Sequence, residues 1–161
     1  MSNRKCQICD WILRLDRDEK TYFIAELETG YVVLNKWQYF KGYTFFLCKN
    51  DVNEIHFLEN EFRIKFLNEM SIISEAIYNA LHPTKINCES LGNLASHVHW
   101  HIIPRYGNDP VPERPIWCIN REDLYSNDVI LSQHETDKLR TKILNELKKL
   151  RVMIIKDFEK D

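Results

Sequence analysis

The sequence lacks a strong charge of one sign and a long apolar run. Its 22 Lys and Arg residues nearly balance 24 Asp and Glu residues, for a formal net charge of −2. This balance offers no global electrostatic case for binding nucleic acid or a membrane surface. No uninterrupted apolar run approaches the roughly 18–20 residues of a membrane span. The first residues, MSNRKCQICDWILRL, mix charged with apolar residues, unlike a signal peptide.

The sequence also lacks the cysteine pattern of a disulfide framework. Its 5 cysteines are an odd number, and most of them stand alone. They are Cys6, Cys9, Cys48, Cys88 and Cys118. This usage favours reduced thiols, and we therefore expect a cytoplasmic protein.

Glycine is scarce, with 4 residues, and no repeat or low-complexity segment is present. A chain of 161 residues suits a single domain and can bury a sizeable core without disulfides or a metal ion. We predict one domain over residues 1–161, with a core over about residues 1–120. A C-terminal helical extension is predicted from about residue 121.

Five strands are predicted from runs of β-branched, aromatic and apolar residues bounded by turns. They cover residues 22–27, 31–34, 43–49, 85–91 and 97–103. A short helix is predicted over residues 10–17. A long helix is predicted to begin at the Asp51/Glu54 spacing and to end before Pro83. Ser132 and Glu135 form a predicted capping box for a C-terminal helix. Because short turns join most of the strands, the predicted class is α+β with a mainly antiparallel, five-stranded sheet.

The segment HVHWHIIPRY, residues 97–106, carries three histidines at alternate positions. Alternate side chains of a strand share one face, so His97, His99 and His101 are predicted to project together. The intervening apolar residues are predicted to face the core: Val98, Trp100 and Ile102.

Three interpretations of this segment are open. Ordinary packing is hard to reconcile with three histidines on one face. Imidazole is a common zinc ligand, and a catalytic zinc keeps three protein ligands, but no acidic residue adjoins the segment. Alternatively, a histidine attacks an activated phosphorus while flanking imidazoles donate to the phosphoryl oxygens. The attacking residue is then His99, which alone has a partner on each side.

Residues 97–103 have the pattern His-φ-His-φ-His-φ-φ, with φ an apolar residue, and resemble the signature of the histidine triad (HIT) family. Pro104-Arg105 continues as it often does there. Asn87 and Gly92-Asn93 precede the triad much as the family's Asn and Gly-Gln do. Residues 32–49 resemble the family's strand–loop–strand segment that carries a ribose-binding acid. Asp109-Pro110 and residues 115–117 resemble the loop after the triad in bacterial HIT hydrolases of the diadenosine polyphosphate hydrolase type.

The resemblance implies a HIT-like fold and a nucleotidyl hydrolase or transferase. By this analogy His99 attacks the α-phosphorus of a dinucleoside polyphosphate or a nucleoside phosphoramidate, which gives a nucleotidyl-histidine that water resolves. His97 and His101 would hydrogen-bond the phosphoryl group and help to protonate the leaving group. Asn87 and Asn93 would contact phosphate or leaving-group atoms.

The resemblance also places the nucleoside. Asn35 falls where the family has its ribose-binding aspartate, so it keeps a hydrogen bond to ribose but loses the charge. The base, expected to be adenine, would sit in an apolar slot formed by Ile8, Ile12 and Leu34. Tyr43 follows Gly42 where many members have histidine. Relatives pair into dimers, so a homodimer is expected, with no nucleic-acid or membrane partner.

Two other functions remain open: a zinc-dependent hydrolase that uses the triad as ligands, and a nucleotide-binding module with little catalysis. Separately, Cys6 and Cys9 have the spacing of half a zinc site. Some relatives complete such a site with the first triad histidine and a histidine after the strand-ending lysine. Asp51 follows Lys49-Asn50 here, so that histidine is missing, although His56 lies a few residues on. The predicted site therefore has no metal ligand and requires no cofactor, and a structural zinc at Cys6/Cys9 is the alternative.

Overall fold

The computed structural model describes residues 6–15 and 22–159. Within these residues, six strands form one sheet in the order β4-β5-β3-β2-β1-β6, and every neighbouring pair is antiparallel. The strands are Phe23–Leu27 (β1), Gly30–Leu34 (β2), Thr44–Cys48 (β3), Lys85–Glu89 (β4), His99–Arg105 (β5) and Ile154–Asp157 (β6). The predicted α+β class and antiparallel sheet are confirmed, with six strands in place of five.

The described part of the chain also forms four α-helices. They are Gln7–Leu15 (α1), Asn60–Leu81 (α2), Arg121–Leu124 (α3) and Gln133–Lys149 (α4). Short 3₁₀ turns cover Ile55–Phe57, Ile116–Cys118 and Asn127–Val129. The predicted end of the first helix, residues 16–17, lies outside the described residues.

The sheet has two faces with different coverings. Helices α2 and α4 pack on one face, where Ile77, Ile102 and Leu147 belong to the main core. Helix α1 covers part of the other face, where Ile8 and Leu47 form a smaller cluster. Because opposed residues in an antiparallel pair share a face, this second face also carries His99, which pairs with Leu47.

The long helix begins later than predicted. Glu59 caps α2, and its carboxylate accepts hydrogen bonds from the backbone N–H groups of Glu61 and Phe62. The predicted start at Asp51 is wrong because the Asp51 carboxylate instead faces His97, with Oδ1 3.2 Å from Nδ1. The predicted end is confirmed, since α2 stops at Leu81 before Pro83.

The C-terminal segment is part of the same core. The predicted capping box at Ser132 and Glu135 is present and starts α4. Buried residues of α4, Leu139 and Ile143 among them, join the main cluster. Strand β6, absent from the prediction, then pairs with β1 at the edge of the sheet. Residues 121–159 therefore complete the domain and do not form a separate extension.

Candidate active site

Strand β5 brings two histidines onto the face covered by α1. His99 lies opposite Leu47 and His101 lies opposite Phe45 on β3. The ring centroids of His99 and His101 are 4.8 Å apart. The predicted sharing of one face therefore holds for these two residues, as the alternation of a strand requires.

A directed chain of hydrogen bonds connects the two rings. Nδ1 of His99 lies 2.7 Å from the carbonyl oxygen of His97, so this nitrogen carries the proton and donates it. Nε2 of His99 is then unprotonated and accepts a hydrogen bond from Nε2 of His101, 3.0 Å away. His101 must therefore carry its proton on Nε2. Its Nδ1 accepts from the hydroxyl of Tyr43, at 2.5 Å.

Burial keeps both rings neutral. It lowers the pKa of His99, and the neighbouring His97 adds to the effect while the hydrogen bond to the His97 carbonyl opposes it. Burial, with a smaller contribution from His99, lowers the pKa of His101 to about 4. A neutral imidazole with one unprotonated ring nitrogen is the nucleophilic form of histidine.

His97 has different partners from the other two histidines. It precedes β5, which begins at His99 and not at residue 97 as predicted. Its Nε2 donates to the carbonyl oxygen of Cys48 at 2.8 Å. Its Nδ1 lies 3.3 Å from Sγ of Cys6 and 3.4 Å from Sγ of Cys9. Both ring nitrogens are thus engaged away from His99, which leaves neither for a phosphoryl oxygen.

Cys6, Cys9, Asp51 and His97 form a group whose candidate ligand atoms all lie within 4.8 Å of one another. The two cysteines flank the first turn of α1, and the pairing of β3 with β5 brings Asp51 beside His97. Because Nε2 of His97 holds the proton, its Nδ1 offers a lone pair. Two thiols, an imidazole and a carboxylate are a donor set that zinc accepts in tetrahedral sites. The residues therefore fit a zinc ion.

Aromatic side chains surround the two histidines, and two of them, Phe45 and Trp11, were not assigned to the site from the sequence. The ring of Phe45 is 5.0 Å from His101 and 6.4 Å from His99, and Trp11 packs edge-on against Phe45. Trp117 stands edge-on to His101 at 5.9 Å, and its Nε1 donates to Glu89 at 2.6 Å. Phe45 could have been found from its place on β3, since it alternates with Leu47.

The three predicted asparagines occupy different settings. Asn35 is buried, and its side-chain oxygen accepts from the backbone N–H of Trp37 at 3.2 Å. The side-chain oxygen of Asn87 accepts from Arg105 at 3.2 Å, on the strand beside His101. Asn93 is exposed on the loop before β5. Only Asn93 lines the cavity that also contains His99.

The predicted base slot is only partly assembled. Ile8 and Ile12 lie in the cluster between α1 and the sheet, on the same face as His99. Leu34 is fully buried in the main core on the opposite face. Its predicted contact with a base is therefore wrong. The physical reason is alternation, since its neighbour Val33 is the β2 residue that faces α1.

Arg105 organises the loop after β5. This buried side chain pairs with Asp109 at 2.8 Å and donates to the carbonyl oxygens of Val111 and Arg114, each at 2.7 Å. Its guanidinium also stacks over Phe40, 4.8 Å from the ring centre. These bonds hold the start of the loop that carries Trp117 back towards His101.

A cavity of about 690 Å³ opens beside His99. Its lining includes Asn93, Gly92, His56 and Arg63, so the loop before β5 faces the N-terminal end of α2 across it. The volume falls in the range of ordinary small-molecule sites.

Among the residues that the structure describes, no helix is both long and apolar enough to cross a bilayer.

Known structures share this fold. A histidine triad protein from Bradyrhizobium japonicum is 22% identical with a TM-score of 0.70, over 81% of this chain and 94% of that one. One from Marinobacter aquaeolei is 23% identical with a TM-score of 0.70, over 84% and 95%. Diadenosine triphosphate hydrolase from Plasmodium falciparum is 18% identical with a TM-score of 0.55, over 81% and 78%. No curated protein matches the sequence.

The sequence model of the HIT domain matches residues 17–108, which include the histidine segment and the strands that flank it in the sheet. The match covers more than half of the chain. The fold, the two facing histidines and this match agree, and the chain belongs to the HIT domain family.

Proposed function

We propose that the protein cleaves nucleotide conjugates at the α-phosphate through a covalent bond to His99. The observation that carries the proposal is the pair of contacts on this ring. The His97 carbonyl fixes the proton on Nδ1, and the unprotonated Nε2 accepts a hydrogen bond from the His101 N–H. This is the geometry of a nucleophile with an adjacent hydrogen-bond donor for the phosphoryl group.

The reaction has two balanced steps. In the first, Nε2 of His99 bonds to the α-phosphorus, the bond to the leaving group breaks, and the leaving group takes the electron pair. The ring is then a cationic nucleotidyl-imidazolium whose Nδ1–H points at the His97 carbonyl. In the second, water attacks phosphorus, the N–P bond returns its electron pair to Nε2, and one proton is released to solvent. Transfer to another acceptor would replace water in this step.

The roles proposed for the other residues follow their positions. His101 would donate to a phosphoryl oxygen from Nε2. His97 would position His99 through its carbonyl, because its own ring is engaged elsewhere. Asn93 would contact phosphate from the loop, and Asn87 would act through Arg105 on the loop that carries Trp117. Ile8 and Ile12 would contact an adenine base, and Asn35 the ribose.

Rapid mixing with a dinucleoside polyphosphate labelled at the α-phosphorus, followed by acid-free quenching, tests the proposal. We expect a protein-bound nucleotide in the wild type and none in His99→Ala. Loss of turnover in the same variant is the second expected result. If His99→Ala keeps wild-type turnover of every conjugate tried, the mechanism is wrong. A nucleotide-binding module with little catalysis would instead bind tightly and turn over no faster than this variant.

We also propose that Cys6, Cys9, Asp51 and His97 hold a structural zinc ion. The support is the shared position of their donor atoms and the unprotonated Nδ1 of His97, which faces both thiols. Asp51 stands in for the histidine that the sequence interpretation found missing. A bound zinc would connect α1 to the loop after β3, which carries Asp51, and to the loop before β5, which carries His97. Elemental analysis of protein purified without chelators should give about one zinc per chain, and no metal would contradict this proposal.

A metal site around the triad itself has less support. The metal-ligand group found among the described residues uses His97 only, together with the cysteines and Asp51. His99 uses Nδ1 for the backbone carbonyl, and its Nε2 faces His101. A cytoplasmic location and a homodimer stay predictions.

A further inference from the structure

Tyr43 is a buried tyrosine directly before β3, and it contacts His101 of the proposed catalytic pair. Its side chain is 5% exposed, and its hydroxyl lies 2.5 Å from Nδ1 of His101. Its ring is 5.2 Å from Phe45, which itself packs against His101. The phenol therefore belongs to the packed wall of the site, behind the imidazole of His101.

The direction of this hydrogen bond is determined by the rest of the chain of contacts. The His97 carbonyl can only accept, so His99 donates from Nδ1 and presents a lone pair at Nε2. His101 must meet that lone pair with an N–H. Its Nδ1 is then unprotonated and can only accept, which makes the Tyr43 hydroxyl the donor.

We propose that Tyr43 is a positioning residue whose hydrogen bond holds His101 as a neutral Nε2–H donor, an arrangement that we call the lock. The lock selects conjugates whose leaving group is a phosphate over those whose leaving group is an amine. The proposal rests on the function proposed above and specifies its substrate class. A locked His101 can hydrogen-bond the phosphoryl group from a fixed direction. It cannot deliver a whole proton, because Nδ1 receives the phenol hydrogen bond and holds no proton to compensate.

The chemistry of the leaving group decides which substrates this arrangement serves. When His99 bonds to phosphorus, the breaking bond leaves its electron pair on the leaving atom. A phosphate oxygen holds that pair as a stable anion near pH 7. An amine must receive a proton on nitrogen first, since it would otherwise leave as a strongly basic amide anion. A site without an available proton therefore favours phosphoanhydrides over phosphoramidates.

The groups that face His101 reinforce the lock. Burial raises the pKa of Tyr43, and Tyr125 and Glu89 add to this, so the phenol keeps its proton. Burial and His99 lower the pKa of His101 to about 4. Glu89 lies opposite His101 on β4, but its carboxylate accepts from Trp117 Nε1. The phenol hydrogen bond stabilises neutral His101 further, since a donor on Nδ1 opposes protonation there.

Histidine nitrogen NMR of the wild type tests the lock without any variant. We expect His101 as the Nε2–H tautomer and His99 as the Nδ1–H tautomer near pH 7. In Tyr43→Phe, which removes only the hydroxyl, the His101 pKa should rise and its two tautomers should mix. Tyr39→Phe is the matched control, because Tyr39 packs in the same cluster without a described contact to His101. It should leave both observables unchanged. An Nδ1–H tautomer of His101 in the wild type overturns the lock.

Kinetics with two adenylate conjugates test the selectivity. One is diadenosine triphosphate, which loses ADP through a phosphate oxygen, and the other is adenosine 5′-phosphoramidate, which loses ammonia. We expect wild type and Tyr39→Phe to favour the anhydride in kcat/KM. Tyr43→His, whose imidazole can accept from His101 Nδ1–H and so permit protonation, should lower that preference by about tenfold or more. Tyr43→Phe should lower kcat for the anhydride by about tenfold with little change in KM.

The possible failures can be told apart. Wild-type turnover in His99→Ala would overturn the proposed function, while the NMR tautomers would still report on Tyr43. An inactive His99→Ala combined with an unchanged preference in Tyr43→His would overturn the selectivity alone. If Tyr43→His does not fold, the wild type alone tests the selectivity, and a wild-type preference for the phosphoramidate overturns it.

Discussion

The carbonyl oxygen of His97 lies 2.7 Å from Nδ1 of His99, while Nδ1 of His97 faces the thiols of Cys6 and Cys9. One residue therefore links a candidate metal group to a candidate nucleophile. The His97 ring is held by the carbonyl oxygen of Cys48 and by the thiols of Cys6 and Cys9. The His97 carbonyl oxygen fixes the proton of His99 on Nδ1. Two functions that look separate in the sequence share a single residue.

This link predicts that loss of one cysteine ligand affects zinc content and fold stability together. Cys9→Ser should lower zinc affinity by about tenfold or more, since a metal ligand is lost. The melting temperature should then fall towards that of chelator-treated wild type, because zinc bound only to the folded state stabilises it. Cys118→Ser is the control, since Cys118 is exposed and lies outside the metal-ligand group. Equal zinc content in both variants would contradict the prediction.

The two faces of the sheet predict opposite consequences for two apolar substitutions. Leu34→Ala should lower the free energy of unfolding by about 2–5 kcal/mol with no change in nucleotide affinity, because Leu34 is buried in the main core. Ile12→Ala should raise the dissociation constant of AMP with a smaller loss of stability, since Ile12 is only partly buried beside α1. Urea unfolding and calorimetric titration measure the two quantities. Weaker nucleotide binding in Leu34→Ala would contradict the assignment of faces.

Trp117 and Glu89 are predicted to act as a unit. The Trp117 Nε1–H donates to Glu89 at 2.6 Å, and the indole stands edge-on to His101. Trp117→Phe and Glu89→Ala should each raise KM for a dinucleoside polyphosphate by about threefold to tenfold, as loss of one hydrogen bond to a charged group implies. The double variant should be no worse than the poorer single variant. Fully additive effects would show that the contact does not serve the site.

The pKa of His101 predicts a pH dependence of stability. Burial lowers this pKa to about 4 in the folded protein, against about 6.5 in an unfolded chain. Above pH 6.5 the His101 ring is neutral in both the folded and the unfolded protein, so its ionisation does not change the free energy of unfolding. As pH falls, the unfolded chain gains the proton first, and stability is lost between about pH 6.5 and about pH 4.

The size of this effect can be isolated with His101→Gln. Between pH 7 and pH 5 the wild type should lose about 2 kcal/mol more unfolding free energy than this variant, which has no imidazole to protonate. Urea unfolding at the two pH values gives the four free energies. Equal losses in both proteins would show that burial does not depress the His101 pKa.

Alternation along β5 was enough to predict that His99 and His101 share a face. It did not predict that β5 begins only at His99, because the start of a strand depends on the hydrogen bonds of its neighbours. Here Val98 bonds to Cys48 and Val52, outside the regular pairing of β5. The same limit explains Leu34, where one residue of register decides between the site and the core.

Contacts that depend on strand order could not be predicted from local patterns. Asp51 and His97 are 46 positions apart in the sequence. They meet only because β3 and β5 are neighbours in the sheet. Tyr43 meets His101 for the same reason. Strand β6 was missed because four residues, half of them charged, carry little of the apolar alternation that indicates a strand.

The residue that carries the covalent intermediate decides whether His99 is the nucleophile. Protein mixed for milliseconds with diadenosine triphosphate and digested under conditions that preserve N–P bonds can be mapped by mass spectrometry. We expect one adenylyl group on the peptide that contains His99, absent from His99→Ala. An adenylyl group on another residue, or undiminished turnover without His99, would contradict it.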